Sequence, residues 1–305
     1  MRIAVLIPCY NEEATIEKVV KDFRAQLPEA TIYVYDNNSK DRTAEIAAAA
    51  GAVVRKERRQ GKGNVVRSMF RDIDADIYVM ADGDDTYPAE FVHALIRPVV
   101  DGEADMAIGD RHSNGSYSKE NKRPFHNLGN QLVKTLINRL FKSNLQDIMT
   151  GYRVFNRRFV KNMPVASEGF EIETEMTLHA LDKKFSIVEI PIEYRDRPEG
   201  SFSKLNTLSD GVRVLKTVFR IFKDYKPLAF FSFCAVVFLI LGLLVGIPVI
   251  SEYVATGLIS KLPSAVLAVG FVMLATTSLT CGFILDTIVR QHKDMYQLML
   301  NKAGQ

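Results

Sequence analysis

Short apolar runs alternate with amphipathic stretches through the first part of the chain. Four apolar residues recur at the spacing of one helical face: Ile16, Val19, Val20 and Phe23. Asn11 is the predicted N-cap of this helix. Strands are predicted at residues 2–7, 31–35, 52–55, 76–81, 104–109 and 186–191, and further helices at 43–50, 61–71, 89–100 and 128–141. This alternation predicts an α/β fold with a mostly parallel sheet covered by helices on both faces.

Polar clusters follow the predicted strands that end near Ile7, Tyr35 and Ala81. In open parallel sheets, ligands bind beyond the carboxyl ends of the strands, so we expect the three clusters to meet at one edge. Three other polar segments are predicted to be loops or insertions: residues 111–123, 147–153 and 195–204. The pattern therefore predicts a ligand site at this edge of the sheet.

Two long stretches, 228–250 and 263–285, contain no charged residue. Each exceeds the roughly 20 apolar residues that span a bilayer, although a pair of buried core helices is the alternative. Lysines and arginines flank the pair on both outer sides. By the positive-inside rule, this distribution places the N-terminal domain and both termini in the cytoplasm.

The predicted domain organisation follows from these spans. Residues 1–205 form a catalytic domain, 206–227 an amphipathic interfacial helix, 228–250 and 263–289 transmembrane helices, and 290–305 a cytoplasmic tail. The pattern of 206–227 also fits an ordinary amphipathic helix packed on the domain. Gly242 and Gly246 form a Gly-x-x-x-Gly motif, through which we expect the spans to form a homo-oligomer.

Composition narrows the classes of function. The net charge of +3 is too small for nucleic-acid binding, which needs a concentrated basic face. Three cysteines are far apart in the chain: Cys9, Cys234 and Cys281. We therefore expect no disulfide framework, and a reducing compartment for the catalytic domain. The apolar run after Arg2 is too short for the h-region of a secretory signal.

Charged residues follow several of the predicted strands. Asp82-Gly83-Asp84 supplies two carboxylates at one strand end, which repel each other unless a cation lies between them. Mg²⁺ or Mn²⁺ prefers such oxygen ligands. Lys62 lies between two glycines, which suits a pyrophosphate, although a solvated loop lysine is the alternative. Asp36 either recognises the uracil or ribose of a nucleotide or caps the following turn.

Eight motifs carry a resemblance to a known family. Four occur in the order seen in family 2 inverting glycosyltransferases, which have the GT-A fold: Pro8-Cys-Tyr-Asn-Glu12, Asp36-Asn-Asn-Ser-Lys-Asp41, Gly61-Lys-Gly63 and Asp82-Gly-Asp84. The others resemble the polyprenyl-phosphate branch, which includes bacterial undecaprenyl-phosphate glucosyltransferases and dolichyl-phosphate mannose synthases: Gly109-Asp-Arg111, Asp147-Ile-Met-Thr-Gly-Tyr-Arg153, Phe170-Glu-Ile-Glu-Thr-Glu175 and Arg197-Pro-Glu-Gly-Ser-Phe-Ser-Lys204. The resemblance covers about residues 1 to 226. It implies a GT-A (Rossmann-like) domain followed by a two-helix transmembrane hairpin.

The resemblance also implies roles for individual positions. The expected nucleotide-sugar-binding residues are Pro8, Tyr10, Asn11, Glu12, Asp36, Asn38, Lys62, Asp82 and Gly83. The expected metal ligands are Asp84 and Asp82, and the expected acceptor-phosphate residues are Arg111, Arg123, Arg153, Arg197, Ser203 and Lys204. The expected catalytic residues are Asp84, Asp147 and Lys62.

Two residues, Asp147 and Thr86, bear on the role of a general base and on the identity of the donor. Asp147 either acts as a base, orients a hydroxyl or an arginine, or forms a salt bridge with Arg153. Thr86 stands where the mannose-synthase pattern has a glutamine that binds the metal. This departure favours a UDP donor over GDP-mannose.

The resemblance implies inverting transfer of a hexose from UDP-glucose, or another UDP-hexose, to undecaprenyl phosphate at the cytoplasmic face of the inner (plasma) membrane. UDP-GlcNAc or GDP-mannose as donor, and a hydroxyl (glycan) acceptor, are the alternatives within the family. A non-catalytic, membrane-tethered nucleotide-sugar binding protein is the alternative from another class. A processive polysaccharide synthase is disfavoured, because those enzymes carry a Gln-x-x-Arg-Trp element and this chain contains no tryptophan.

Overall fold

The computed structural model of the protein describes residues 1–113, 124–169, 171–195, 219–258 and 260–303. The chain divides into two compact units, Met1–Gly211 and Val212–Gln305. The first unit is an α/β domain, and the second is helical in its described residues.

A mixed sheet forms the centre of the first unit. The strands in the described residues are β1 (Ile3–Cys9), β2 (Thr31–Asp36), β3 (Val53–Lys56), β4 (Ile77–Met80), β5 (Met106–Asp110), β6 (Arg153–Asn156) and β7 (Ile187–Pro191). They lie in the order β3-β2-β1-β4-β6-β5-β7, and β6 runs antiparallel to both of its neighbours while the other pairs are parallel. The predicted α/β fold with a mostly parallel sheet is confirmed.

Helices flank this sheet. Their bounds are α1 (Ile16–Gln26), α2 (Thr43–Ala49), α3 (Lys62–Asp72), α4 (Val92–Val100), α5 (Pro124–Phe141), α6 (Arg157–Asn162) and α7 (Ile172–Lys183). The predicted apolar face of α1 is buried against the sheet, and each of its four residues is at most 4% exposed. The predicted N-cap is wrong: α1 begins after Thr15, and Asn11 lies in the preceding loop with φ of 53°.

The sequence pattern missed β6, α6 and α7. Residues 147–153 are polar and were predicted to be an insertion, but Arg153 begins a strand whose first three residues are buried. Helix α7 has no clean apolar stripe, because its buried residues include Glu173, Thr174 and Thr177. A hydrophobicity pattern therefore could not identify β6 and α7, because both contain polar residues that are buried in the native fold.

The second unit contains two long apolar helices, α8 (Pro227–Thr256) and α9 (Leu262–Ala303). Both are long and apolar enough to cross a membrane, and only 11% and 17% of their most apolar stretches are buried inside the protein. A core helix of a soluble protein would be mostly buried. Helix α9 continues through residues 290–303, which were predicted to be a separate tail. Of the predicted interfacial helix at 206–227, residues 206–218 lie outside the described residues, and 219–225 are helical.

The Gly-x-x-x-Gly motif packs α8 against α9 within one chain. A Cβ on Gly242 would lie 3.3 Å from Phe271 Cβ, and one on Gly246 would lie 3.3 Å from Ala268 Cβ. Small residues at these positions let the two helices approach closely. The motif therefore has a use inside the hairpin, and a homo-oligomer stays a prediction without support from these glycines.

Candidate active site

The loops after β1 and β2 are tied to each other by hydrogen bonds. The N–H of Asn11 donates to Ser39 Oγ at 2.9 Å, and Asn11 Oδ1 accepts from the N–H of Lys40 at 2.8 Å. Asp36 is buried, and its Oδ1 accepts from the N–H of Ser39 at 3.2 Å. Other predicted nucleotide-binding residues are partly buried at the same strand end: Pro8, Tyr10 and Glu12. In this structure, Asn11 and Asp36 shape the paired loops.

Asn37, which the sequence reasoning missed, links the end of β2 to the start of α3. It is 3% exposed, and its Nδ2 donates to the carbonyls of Glu57 (3.1 Å) and Arg59 (2.7 Å). Its Oδ1 accepts from the N–H of Gly61 at 2.7 Å. The predicted site residue Asn38 also donates to a carbonyl of this loop. The two asparagines thus fix the loop that leads into Lys62.

The glycines beside Lys62 make room for the protein's own backbone. A Cβ on Gly61 would lie 2.1 Å from the carbonyl oxygen of Glu168, and one on Gly63 would lie 2.2 Å from that of Ser167. The N–H of Gly63 donates to the Glu168 carbonyl at 3.0 Å, which satisfies one of the N–H groups that a helix start leaves without an intrahelical partner. The N–H of Gly63 is therefore bonded to the protein's own backbone in this structure.

Lys62, Asp82 and Glu173 form a buried cluster, which we call the lysine cluster. Lys62 begins α3, Asp82 follows β4, and Glu173 lies in the first turn of α7. Lys62 Nζ lies 2.5 Å from Asp82 Oδ1 and 2.5 Å from Glu173 Oε1. The side chains of Lys62 and Glu173 are 9% and 7% exposed, whereas that of Asp82 is 26% exposed. One ammonium is therefore shared by two carboxylates, of which Asp82 faces solvent more.

The pKa values in the lysine cluster follow from burial and from this sharing. Burial lowers the pKa of Lys62, but the carboxylates of Asp82 and Glu173 more than offset it and hold the pKa above its usual value. Burial raises the pKa of Glu173 above that of an ordinary carboxyl group, and the nearby Asp82 adds to this effect while Lys62 opposes it. The lysine is therefore a permanent cation at neutral pH.

Asp84 is buried beyond β4, and Thr86 fixes one of its oxygens. Asp84 Oδ1 accepts from Thr86 Oγ1 at 2.6 Å and from the N–H of Thr86 at 3.3 Å. Gly83 is required between the two acids, because a Cβ there would lie 2.6 Å from Cys9 Sγ. The residue that departs from the mannose-synthase pattern thus orients the predicted metal ligand.

The chemistry of Asp82 and Asp84 fits a hard divalent cation. Both offer carboxylate oxygens, the donors that Mg²⁺ and Mn²⁺ prefer. Within the described residues, no group of three or more His, Cys, Asp and Glu side chains could hold a metal. A set of one or two carboxylates is typical where substrate phosphates complete the coordination, so the pair suits a metal that arrives with a nucleotide.

Arg111 and Asp147 form a second buried pair, which we call the arginine pair. Arg111 follows β5, and its Nε and Nη2 donate to Asp147 Oδ2 and Oδ1 at 2.7 and 3.0 Å. Burial raises the pKa of Asp147, but the Arg111 guanidinium more than offsets this and holds the pKa below its usual range. His112 Nε2 lies 3.9 Å from Asp147 Oδ1. Asp147 is therefore an ionised residue that orients an arginine, and the alternative salt bridge to Arg153 is not formed.

Arg153 is fully buried and holds the segment that leads into β6. Its Nε donates to the Thr150 carbonyl (2.9 Å), its Nη2 to the Ile148 carbonyl (2.5 Å) and its Nη1 to Thr177 Oγ1 (2.9 Å). Burial lowers its pKa to about 10. These partners and the absence of exposure contradict the predicted contact of Arg153 with an acceptor phosphate.

Gly151 and Tyr87 lie between the lysine cluster and the arginine pair. A Cβ on Gly151 would lie 2.8 Å from Asp82 Oδ2, and the N–H of Gly151 donates to Tyr87 Oη at 2.9 Å. The ring centroids of Tyr87 and Tyr194 are 5.9 Å apart, and Arg111 Cζ lies 5.5 Å from the centroid of Tyr194. The lysine cluster and the arginine pair therefore lie along one edge of the sheet; the strand pattern predicted this edge for Asp82 but not for Arg111 or Asp147.

The comparisons with known proteins assign the family. Residues 4–163 match the profile of glycosyl transferase family 2. The chain is also 31% identical over 296 residues to glycosyltransferase AglJ of Haloferax volcanii, an alignment that covers 96% of this chain and 95% of the relative. The chain belongs to glycosyl transferase family 2. This family 2 glycosyltransferase is also 29% identical to the dolichyl-phosphate hexose transferase of Haloferax volcanii, over 72% of this chain and 93% of the relative.

Solved structures support the fold of this glycosyltransferase. Glucosyl-3-phosphoglycerate synthase of Mycobacterium tuberculosis, in complex with Mn²⁺, UDP and phosphoglyceric acid, matches it with a TM-score of 0.58. The match covers 73% of this chain and 78% of the synthase at 21% sequence identity. At this identity the likeness concerns the fold, which is the GT-A-like mixed sheet flanked by helices.

Four of the predicted acceptor residues of the glycosyltransferase lie outside the described residues: Arg123, Arg197, Ser203 and Lys204. Among the described residues, Arg111 therefore stays a predicted acceptor-phosphate residue, whereas Arg153 does not. The described residues that the sequence reasoning did not place are Asn37, Tyr87 and Gly151. Glu173 belongs to one of the motifs that carry the family resemblance, and the structure shows that Lys62 is its partner.

Proposed function

We propose that this family 2 glycosyltransferase transfers a hexose from a UDP-hexose to a polyprenyl phosphate, with inversion at the anomeric carbon. The proposal rests most on one observation: the lysine cluster and the arginine pair lie along the same strand edge and are joined by Gly151 and Tyr87. Such a site can bring two anionic substrates together. The relative named dolichyl-phosphate hexose transferase supports this reading.

The donor lies on the side of the lysine cluster in this proposal. The loops that contain Asp36 and Asn37 take the nucleoside, and Lys62 contacts the pyrophosphate. The ammonium offsets negative charge that grows on the departing nucleoside diphosphate. The permanent charge of Lys62 suits this task, because its paired carboxylates keep the pKa high.

The metal ion would be held by Asp84 and Asp82, with the pyrophosphate as a further ligand. When bound, Mg²⁺ or Mn²⁺ supplies positive charge that neutralises the diphosphate leaving group. Thr86 orients the Asp84 carboxylate for this role through its hydroxyl and its N–H. The carboxylate chemistry of the pair supports metal dependence.

The acceptor lies on the side of the arginine pair. A phosphate monoester has a second pKa of about 6, so its oxygen is already ionised and nucleophilic at neutral pH. The reaction then needs no general base on the protein, which agrees with the low pKa and double hydrogen bond of Asp147. Asp147 instead fixes the guanidinium of Arg111, whose planar fork matches a phosphate.

Helices α8 and α9 would place this chemistry at the cytoplasmic face of the plasma membrane. Their length and exposed apolar side chains support two membrane spans. The basic residues on the outer sides of both spans support cytoplasmic termini. A lipid acceptor that carries its phosphate at the membrane surface suits such an anchored domain.

The test is to incubate the purified full chain in detergent with undecaprenyl phosphate, Mg²⁺ or Mn²⁺, and separate nucleotide sugars. UDP-glucose, UDP-GlcNAc and GDP-mannose form the donor panel, and a glycan with free hydroxyls is the control acceptor. We expect a lipid-linked hexose from a UDP donor. We expect an Asp84→Ala variant to lose about 1000-fold in turnover, because a metal supplies several kcal/mol of transition-state stabilisation. Transfer to the glycan alone, or full activity of Asp84→Ala, would refute the proposal.

A further inference from the structure

The lysine cluster has one carboxylate more than its charge balance needs. A single ammonium faces two carboxylates, at 2.5 Å each, in a part of the protein that is largely closed to water. Removing charges from water is costly, and each buried charge normally needs its own partner. A second carboxylate at Lys62 therefore calls for a reason beyond pairing the lysine.

The two carboxylates differ in exposure and in the kind of element that carries them. The Asp82 side chain is 26% exposed and lies in the loop after β4, whereas the Glu173 side chain is 7% exposed and lies on a helix. Asp82 thus lies at the strand end and is the more exposed of the two, and Glu173 is the more enclosed. Asp82 is thus the partner that a ligand can draw away, and Glu173 is the one that stays.

The protein holds the helix of Glu173 firmly against the helix of Lys62. The segment between α6 and α7 receives hydrogen bonds from Arg67 of α3 at the carbonyls of Val165 and Ala166. Glu175 of α7 accepts from the N–H groups of Ala166 and Ser167, both at 2.8 Å. These contacts clamp the starts of α3 and α7 to one segment, so the distance from Glu173 to Lys62 is set by the fold.

We propose that Glu173 is a positioning residue: it is the fixed counterion that keeps the Lys62 ammonium in place while Asp82 turns to the donor and its metal. This inference rests on the proposed function of the lysine cluster as the pyrophosphate site. An ammonium has three N–H donors, of which the two described carboxylates take two. With Glu173 in place, Lys62 keeps a partner when Asp82 leaves, and its remaining donors reach the diphosphate.

Removing the charge of Glu173 changes this balance. In a Glu173→Gln variant, Asp82 becomes the single carboxylate that neutralises Lys62. The ligand must then separate Asp82 from Lys62 completely before Lys62 can bind the diphosphate or Asp82 can bind the metal. We expect UDP to bind about tenfold more weakly, which is about 1.4 kcal/mol and close to the contribution of one hydrogen bond to a charged group. A role as a mere nearby negative charge predicts the reverse, because removing it would strengthen the binding of an anion.

The test is a double-mutant cycle read by binding rather than turnover. Isothermal titration calorimetry measures UDP, and separately GDP, with Mn²⁺ on the full chain in detergent. The variants are Glu173→Gln, Lys62→Met and both together. We expect both single variants to bind UDP more weakly and the double variant to bind no more weakly than Lys62→Met, because Glu173 acts through the lysine. Additive losses, or tighter binding by Glu173→Gln, would overturn the inference.

The controls separate the possible failures. Glu171→Gln makes the same chemical change at an exposed residue just before α7, and we expect it to bind UDP like the wild type. If Glu173→Gln does not fold, Glu173→Asp runs the same cycle, since its shorter side chain keeps the charge but lies farther from Nζ. Nucleotide binding needs no lipid, so a chain that binds UDP but makes no lipid-linked sugar still tests Glu173. A wild type that binds neither nucleotide overturns both proposals.

Discussion

The two charged halves of the site pair a buried cation with carboxylates in different ways. The arginine pair matches one guanidinium to one carboxylate through two hydrogen bonds, and its charges cancel. The lysine cluster places one ammonium between two carboxylic groups. A balanced, bidentate pair is a fixed fork for a phosphate. An unbalanced cluster is suited to exchange a carboxylate for a ligand.

The pKa shifts show the same contrast. Arg111 holds the pKa of Asp147 below its usual range, whereas burial beside a second acid raises the pKa of Glu173. Asp147 therefore adds stability above the pKa of an ordinary aspartate, and this contribution is lost as the pH falls through its lowered value. Glu173 behaves in the opposite way: its ionisation costs stability as the pH rises from the ordinary glutamate value through its raised one.

The largest expected effect is the loss of stability in Asp147→Asn. This change removes the carboxylate that accepts two hydrogen bonds from the buried Arg111 guanidinium, and breaking a buried pair from one side costs about 3 kcal/mol. Glu173→Gln is the matched comparison, because Lys62 keeps Asp82, and we expect it to cost about 1 kcal/mol or less. Chemical unfolding of both variants near pH 7 measures the difference.

The pH dependence sharpens this prediction. As the pH falls below about 4, the wild type should lose the stability that Asp147 contributes, whereas Asp147→Asn has none of it to lose. The gap between the two proteins should therefore narrow toward low pH. Equal stability of Asp147→Asn and Glu173→Gln at neutral pH would show that the two halves do not differ as described.

A smaller effect is expected for Arg111→Lys. The change keeps the positive charge but removes the planar fork, so one of the charge-assisted hydrogen bonds to a phosphate is lost. A hydrogen bond to a charged group contributes about 2 kcal/mol, so KM for the lipid phosphate should rise roughly 30-fold. Steady-state kinetics with varied acceptor measure this change. UDP affinity should stay at the wild-type value, and an equal loss for UDP would place Arg111 on the donor side instead.

Much of this site was predictable from the sequence, because strand ends can be read from apolar runs. The runs before Asp36 and Asp82 put both acids at the correct edge of the sheet, and the motif order identified the family. The partners of the charges were not predictable. Arg153 was predicted to contact a phosphate, but it is fully buried and donates to carbonyls of the segment that precedes it. Asp147 pairs with Arg111, which lies 36 residues away in sequence. These pairings depend on the positions of β6 and α7, and neither element could be predicted from hydrophobicity because each contains buried polar residues.

The smallest expected effect concerns Thr86→Val on the donor side. Valine keeps the shape of threonine but removes the hydroxyl that donates to Asp84 Oδ1 at 2.6 Å, while the N–H at 3.3 Å remains. Because a residue that orients a metal ligand typically contributes tenfold or more, the Mn²⁺ concentration for half-maximal activity should rise about tenfold. Thr86→Ser restores the hydroxyl and is the matched control. If Thr86→Val left the Mn²⁺ requirement unchanged while Asp84→Ala lost turnover as expected, the backbone N–H alone would orient this carboxylate.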